Sequence, residues 1–98
     1  MKIGADSIVI LTLHSPKERH IGVFHEVTAA GVFIRSVELD HFDEWSREIA
    51  AGNVFNKLSE AFFPIWRVER IDLDAPLGEA PSMDELFRRR TGHDLASF

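Results

Sequence analysis

The stretch SIVILTLHSPKERHIGVFHEVTAAGVFIRSVEL, Ser7–Leu39, decides the fold. Ser7–His14 is rich in β-branched residues and reads as a strand apolar on both faces, hence buried on both sides. Ser15-Pro16-Lys17-Glu18 reads as a turn, since Pro presets φ and Ser can bond its own backbone. His20–Val27 is a second strand, and Gly22 inside it points to a sharp bend or a close backbone approach. Thr28-Ala-Ala-Gly31 is a tight turn in which Gly31 is expected to supply a positive φ. Val32–Leu39 is a third strand, and three strands joined by short turns make an antiparallel meander.

The pattern then breaks. Asp43 is placed to cap a short helix over Glu44–Ala51, with Gly52 to end it. Trp45 and Ile49 are four apart and share one face of that helix. Asn53–Glu60 is ambiguous: Val54, Leu58 and Phe62 fit a helical spacing, yet Asn53 and Asn56 are poor interior helix residues. Phe62-Phe63 opens a strand that Pro64 interrupts, and Trp66–Leu73 resumes it. Asp74–Pro81 holds two Pro and one Gly and reads as a linker. Ser82-Met-Asp-Glu85 is a capping box. Arg88-Arg-Arg90 falls in the last turn of the helix it starts, where cations suit the helix dipole, and Gly92 ends it. Met83, Leu86 and Phe87 fall on one face, which must dock on something.

Composition narrows the function classes. The chain has 98 residues, 45% of them hydrophobic, with eight Phe and two Trp. That length is expected to make one domain over residues 1–98, whose folding buries only about 60–70% of the unfolded chain's surface. With no cysteine, disulfide and thiolate chemistry are excluded. The net charge of −5 runs against the basic surplus usual in nucleic-acid binders. The apolar run Ile8–Leu13 is too short for a signal segment or a membrane span, so the expected setting is cytoplasmic, with no membrane partner.

The order of strand, turn, strand with Gly, Gly turn, strand, irregular segment, strand, Pro and strand resembles the Sm-like family. The first motif is carried by Ile8–Leu13, Ile21-Gly22-Val-Phe24, Gly31-Val-Phe-Ile34 and Val37-Glu38. The second is carried by Val68-Glu-Arg-Ile71. The resemblance spans roughly residues 6–73 and implies a mainly β fold. That fold is a small, strongly bent, five-stranded antiparallel Sm-like barrel. Its strands would occupy 6–39 and 61–73, with a short helix in an insertion at 40–60, a linker at 74–81 and a C-terminal helix at 82–92. The resemblance also implies self-association into a hexamer or heptamer ring, through pairing of the fourth strand of one subunit with the fifth of the next. Phe62, Phe63, Val68 and Ile71 would then lie at the subunit interface.

Departures from the family bear on function. RNA-binding members place Asp and Asn between strands two and three, where this chain has Thr28-Ala-Ala-Gly31. They place Arg-Gly before the last strand, where it has Pro64-Ile65. The nucleotide contacts of the pore are therefore not carried over. Most members also begin with a helix over one barrel mouth, and the helix near 83–91 is expected to cover that surface here.

The other candidate sites each have a simpler reading beside the functional one. Trp66 with Arg67 and Arg70 could stack bases and neutralise phosphate. Alternatively, Trp66 fills the barrel or a subunit contact and the arginines pair with Glu69 or Asp72. Arg88, Arg89 and Arg90 form the densest positive cluster, a further candidate RNA contact, though as a helix C-terminus they need no other explanation. His14, His20 and His25, with Glu18 and Glu26, invite a metal reading, and His14 and His25 are expected to be able to face each other across the first hairpin. Nothing in the sequence fixes a third ligand, so no metal and no cofactor is expected. Asp40-His-Phe-Asp-Glu44 lacks calcium-loop spacing and reads as a solvated helix start. No nucleophile elbow or phosphate loop occurs. The expectation is a non-enzymatic, homo-oligomeric binding or scaffold module, with divergent RNA binding as the alternative.

Overall fold

The computed structural model describes residues 2–98. Its mainly β architecture has five antiparallel strands: β1 (Ile8–Leu13), β2 (Glu18–Val27), β3 (Gly31–Glu38), β4 (Ser59–Pro64) and β5 (Val68–Leu73). Two helices, α1 (Phe42–Ala50) and α2 (Met83–Thr91), complete it. The strands form one unclosed sheet in the order β4-β3-β2-β1-β5. Among the described residues, no helix is long and apolar enough to cross a membrane.

The sheet must curl. A flat five-stranded sheet would set its outer strands four spacings apart, roughly 19 Å. Yet β4 ends at Pro64 and β5 begins at Val68, and four Cα–Cα steps reach at most about 14 Å. A single 3-10 turn, Ile65–Arg67, makes this link. It is anchored at one end by Ile65 N–H to the Ala30 carbonyl (2.9 Å) and at the other by His14 N–H to the Arg67 carbonyl (2.9 Å). Two local features favour the curl. A β-bulge interrupts the β2–β3 register between Phe24 and Glu26. Gly22 lies opposite Ser36, where a Cβ would stand 2.0 Å from the Arg35 carbonyl oxygen. The close approach expected of Gly22 is what the chain uses.

Strand alternation sorts the core into two layers. Val9, Leu11, Leu13, Phe24, Val32 and Ile34 fill the concave side, with Ala61, Phe63, Val68, Ile71 and Leu73 around them. Ile21 and Val23 face the other side, with Ile8 and Ile10 alongside. There Phe42, Trp45 and Ile49 of α1 and Phe87 of α2 cover them, joined by Leu95 and Phe98. β1 is thus apolar on both faces because both are covered. Trp45 stacks on Phe87 at 5.2 Å between centroids, and Phe98 meets both rings edge-on.

Several local expectations change. α1 starts at Phe42, with His41 rather than Asp43 at the N-cap and no side-chain cap; Asp43 lies in the first turn. Residues 53–58 are not helical, and β4 begins at Ser59. Trp45 Nε1 donates to the Asn56 carbonyl (2.8 Å), Asn56 Nδ2 to Glu48 (2.8 Å) and Asn53 backbone N–H to the Glu48 carbonyl (3.0 Å), so this segment is a fastened loop and not a weakened helix. Pro64 ends β4, and Trp66 belongs to the 3-10 turn and not to β5. Gly31 has no positive φ. It is needed because a Cβ there would lie 2.2 Å from the Phe63 carbonyl oxygen and 2.7 Å from the Phe62 ring.

The end of the chain is tied down firmly. Ser82 caps α2, accepting from Glu85 N–H at 3.1 Å, as its sequence predicts. Asp74, in the linker, adds a second cap by accepting from Met83 and Asp84 N–H (2.8 and 2.9 Å). Gly92 closes the helix in the left-handed region. Arg90 then joins the helices, donating to Ser46 Oγ (2.6 Å) and Asp43 Oδ1 (3.1 Å).

Candidate functional site

The candidate arginines do not form one basic surface. Arg67 is a brace: it donates to the carbonyls of His14 (3.3 Å) and Pro16 (2.9 Å) and to Glu18 Oε2 (3.4 Å). It thereby fastens the β4–β5 turn to the β1–β2 turn. Arg70 pairs with Asp72 at 2.8 Å, which holds its guanidinium protonated more firmly than usual. Arg88 bridges Asp84 and Asp94, and Asp84 is the main reason its charged form is favoured. Arg89 lies 3.8 Å from Glu85. Each candidate cation, Arg90 included, has an acidic partner. Lys17, Arg19 and Arg70 do share a polar cleft of about 530 Å³, but Glu69 and Asp72 line it too.

Trp66 does not fill the interior. It is 62% exposed on the β4–β5 turn, beside Ile65, with the His14 ring edge-on at 6.5 Å. Among the described residues, seven large apolar side chains are exposed. Four of them, Phe33, Phe62, Ile65 and Trp66, lie on β3, on the outer strand β4 or on the turn that leaves it. Phe33 and Phe62 are cross-strand partners with rings 4.8 Å apart. They line a groove of about 390 Å³ with His25 and Glu60. His25 sits at the bulge, and its Nε2 is buried with no hydrogen-bond partner among the described residues, which is uncommon in a finished interior.

The backbone of β4 is open along its outer side. Ile65 N–H bonds to Ala30, so strict antiparallel alternation assigns the inward bonds of β4 to Phe63, Ala61 and Ser59. The N–H and C=O groups of Phe62 and Glu60 point away from the sheet, and Pro64 has no N–H to lose there. On the opposite edge, Asp74 N–H bonds to the Ile8 carbonyl (2.9 Å). By the same alternation, Ile71 and Leu73 present their backbone groups outward. Of the expected interface residues, Phe62 is exposed on the β4 edge, while Phe63, Val68 and Ile71 are half-buried against the concave core.

The histidines separate. The hairpin register pairs Leu13 with Glu18 and Ile8 with Val23, so His14 and His25 lie at opposite ends and cannot face each other. His20 is the one that finds acids. Its Nε2 is 3.1 Å from Glu18 Oε1, and its Nδ1 is 3.4 Å from Ser36 Oγ. The hydrogen bond from His20 is the chief cause that lowers the Glu18 pKa, and Arg67 adds to it.

Sequence reasoning reached both outer strands, because Phe62-Phe63-Pro64 and Val68–Ile71 carry strand signals. It did not reach the bulge at His25 or the pairing of every candidate arginine. Partners such as Asp43 and Arg90 lie 47 residues apart and meet only through packing.

No protein-family profile matches the sequence, and neither a curated protein nor a solved structure gives a significant match.

Proposed function

We propose that the chain is a non-enzymatic, self-associating module of the Sm-like class. In this reading β4 of one copy pairs with β5 of the next until a ring closes. The observation that carries it is the pair of open edges on one curled sheet, β4 at one end of the strand order and β5 at the other. Unpaired edges invite strand addition. The two edges differ in sequence, so their contact is heterologous, the kind that generates rings when the rotation closes. The exposed Phe33–Phe62 pair, the groove beside it and His25 Nε2, which has no hydrogen-bond partner among the described residues, support β4 as a surface awaiting a partner. The strand order and the one-turn link between β4 and β5 support the Sm-like class.

The test is absolute mass by light scattering after size exclusion, at low and high salt and after nuclease treatment. A single mass several times the 11.1 kDa chain, unchanged by either treatment, is the expected result. A monomer at all concentrations would overturn the proposal.

Divergent RNA binding is the second reading, and it rests on the exposed Trp66 beside Arg67. Bases can stack on such a ring. It requires phosphate to compete with the carboxylates that already hold the arginines. It predicts single-stranded RNA affinity that falls steeply with salt and is lost in Trp66→Ala. Equal affinity in that variant would remove the site.

A further inference from the structure

We propose that Glu18, His20 and Glu38 bind a divalent transition-metal cation of the zinc class. His20 and Glu38 are direct partners across β2 and β3. Glu18 is two residues from His20 along β2 and so shares its face. One ligand atom from each of the three lies within 4.8 Å of the others. His20 Nε2 and Glu18 Oε1 are already 3.1 Å apart. Neighbouring ligand atoms of a tetrahedral site with bonds of ~2.0–2.1 Å are roughly 3.3 Å apart, so the pair needs little movement to hold an ion between them.

The surroundings suit metal ligands. Ser36 Oγ lies 3.4 Å from His20 Nδ1, where a hydroxyl accepting Nδ1–H would leave Nε2 as the coordinating nitrogen. Arg67 reaches Glu18 through Oε2, so Oε1 is the oxygen left for an ion. The Phe63 ring packs at 4.8 Å on the imidazole and limits its rotation. Two carboxylates and a neutral imidazole balance a dication. His20 is buried while Glu38 is exposed, and these two line a cleft of about 330 Å³ that solvent reaches. His41 Nε2 stands 3.9 Å from Glu38 Oε2 and lines the same cleft, but it lies outside the cluster of three, which leaves the fourth position to water. Imidazole with carboxylate favours zinc-like ions over calcium or magnesium.

The experiment is calorimetric titration of the chelator-treated full chain with ZnCl2, paired with visible spectra after CoCl2 addition. Glu38→Gln is the main variant, because its exposed side chain can change without disturbing the fold; His20→Asn is the second, with circular dichroism as the check on folding. The expected result is one Zn2+ per chain, the strong visible absorption of four-coordinate Co2+, and a loss of affinity of roughly tenfold or more in Glu38→Gln. Calcium gives no comparable heat. Failure of the wild type to take up Zn2+ at millimolar concentration overturns the proposal. So does a Glu38→Gln variant that binds as the wild type does, or a Co2+ spectrum no stronger than that of the hydrated ion.

Discussion

Replacing Phe87 by Ala removes the ring at the centre of the helical layer. Phe87 is fully buried, stacked on Trp45 and edge-on to Phe98, with Phe42 at 6.3 Å. Truncating a buried Phe costs about 3–5 kcal/mol. The lost aromatic pairs, worth ~0.5–1.5 kcal/mol each beyond their buried area, place this site toward the upper end. Relief by collapse is limited, because α1 and α2 are clamped by Arg90 to Ser46 and Asp43. Domains of this size are stable by only ~5–15 kcal/mol, so the variant is expected to retain a fraction of that. Urea unfolding at fixed protein concentration is the assay, so that any self-association weighs equally on both proteins. The midpoint should fall by at least about 1 M, given slopes of ~1–3 kcal/mol per M. The melting temperature should drop by at least ~12 °C. A loss below about 1 kcal/mol would mean that α2 does not seal the convex face, and the account of which surfaces remain open would fail with it.

Other substitutions probe single features. Gly22→Ala should express as misfolded or strongly destabilised protein, because its Cβ would strike the Arg35 carbonyl oxygen; a native-like amide spectrum with unchanged melting would refute the close approach. Asp74→Ala should cost ~1–2 kcal/mol by freeing the Met83 and Asp84 N–H groups, read in the same urea assay. If removal costs nothing, Ser82 alone caps the helix. Glu18 has a folded pKa below its ordinary value of 4.5, so its contribution is present above that value and is lost as pH falls through the lowered one. Stability measured between neutral and strongly acidic pH should therefore decline less steeply in Glu18→Gln than in the wild type, and parallel profiles would contradict the pairing with His20 and Arg67.

The first three strands are legible in the sequence because the pattern that marks them is local. β1 has no polar face, since both sides are covered, and the turns at 15–17 and 28–30 stand where Pro and small residues allow them. The Ser82 cap and the Gly92 stop are equally local. What stayed hidden depends on tertiary contacts. Asn53 and Asn56 read as helix defects until Trp45 and Glu48 come near enough to bind the loop. Trp66 reads from sequence as either a barrel filler or an exposed contact, and the three-residue link that curls the sheet leaves it outside. Glu38 joins Glu18 and His20 only because the β2–β3 register sets it opposite His20, and a bulge of one residue at His25 lies within that same strand pair.

The central claim is that the open edges of β4 and β5 are joined between copies. Its most direct test is the mass of Glu60→Pro beside the wild type, by light scattering across a concentration series. Glu60 is exposed and its N–H points outward, so proline removes an edge donor while the inward bonds to β3 remain. The account predicts a wild-type assembly of uniform mass and a folded, monomeric variant with the same far-ultraviolet spectrum. A variant that assembles as the wild type does, or a wild type that is monomeric throughout, would contradict it.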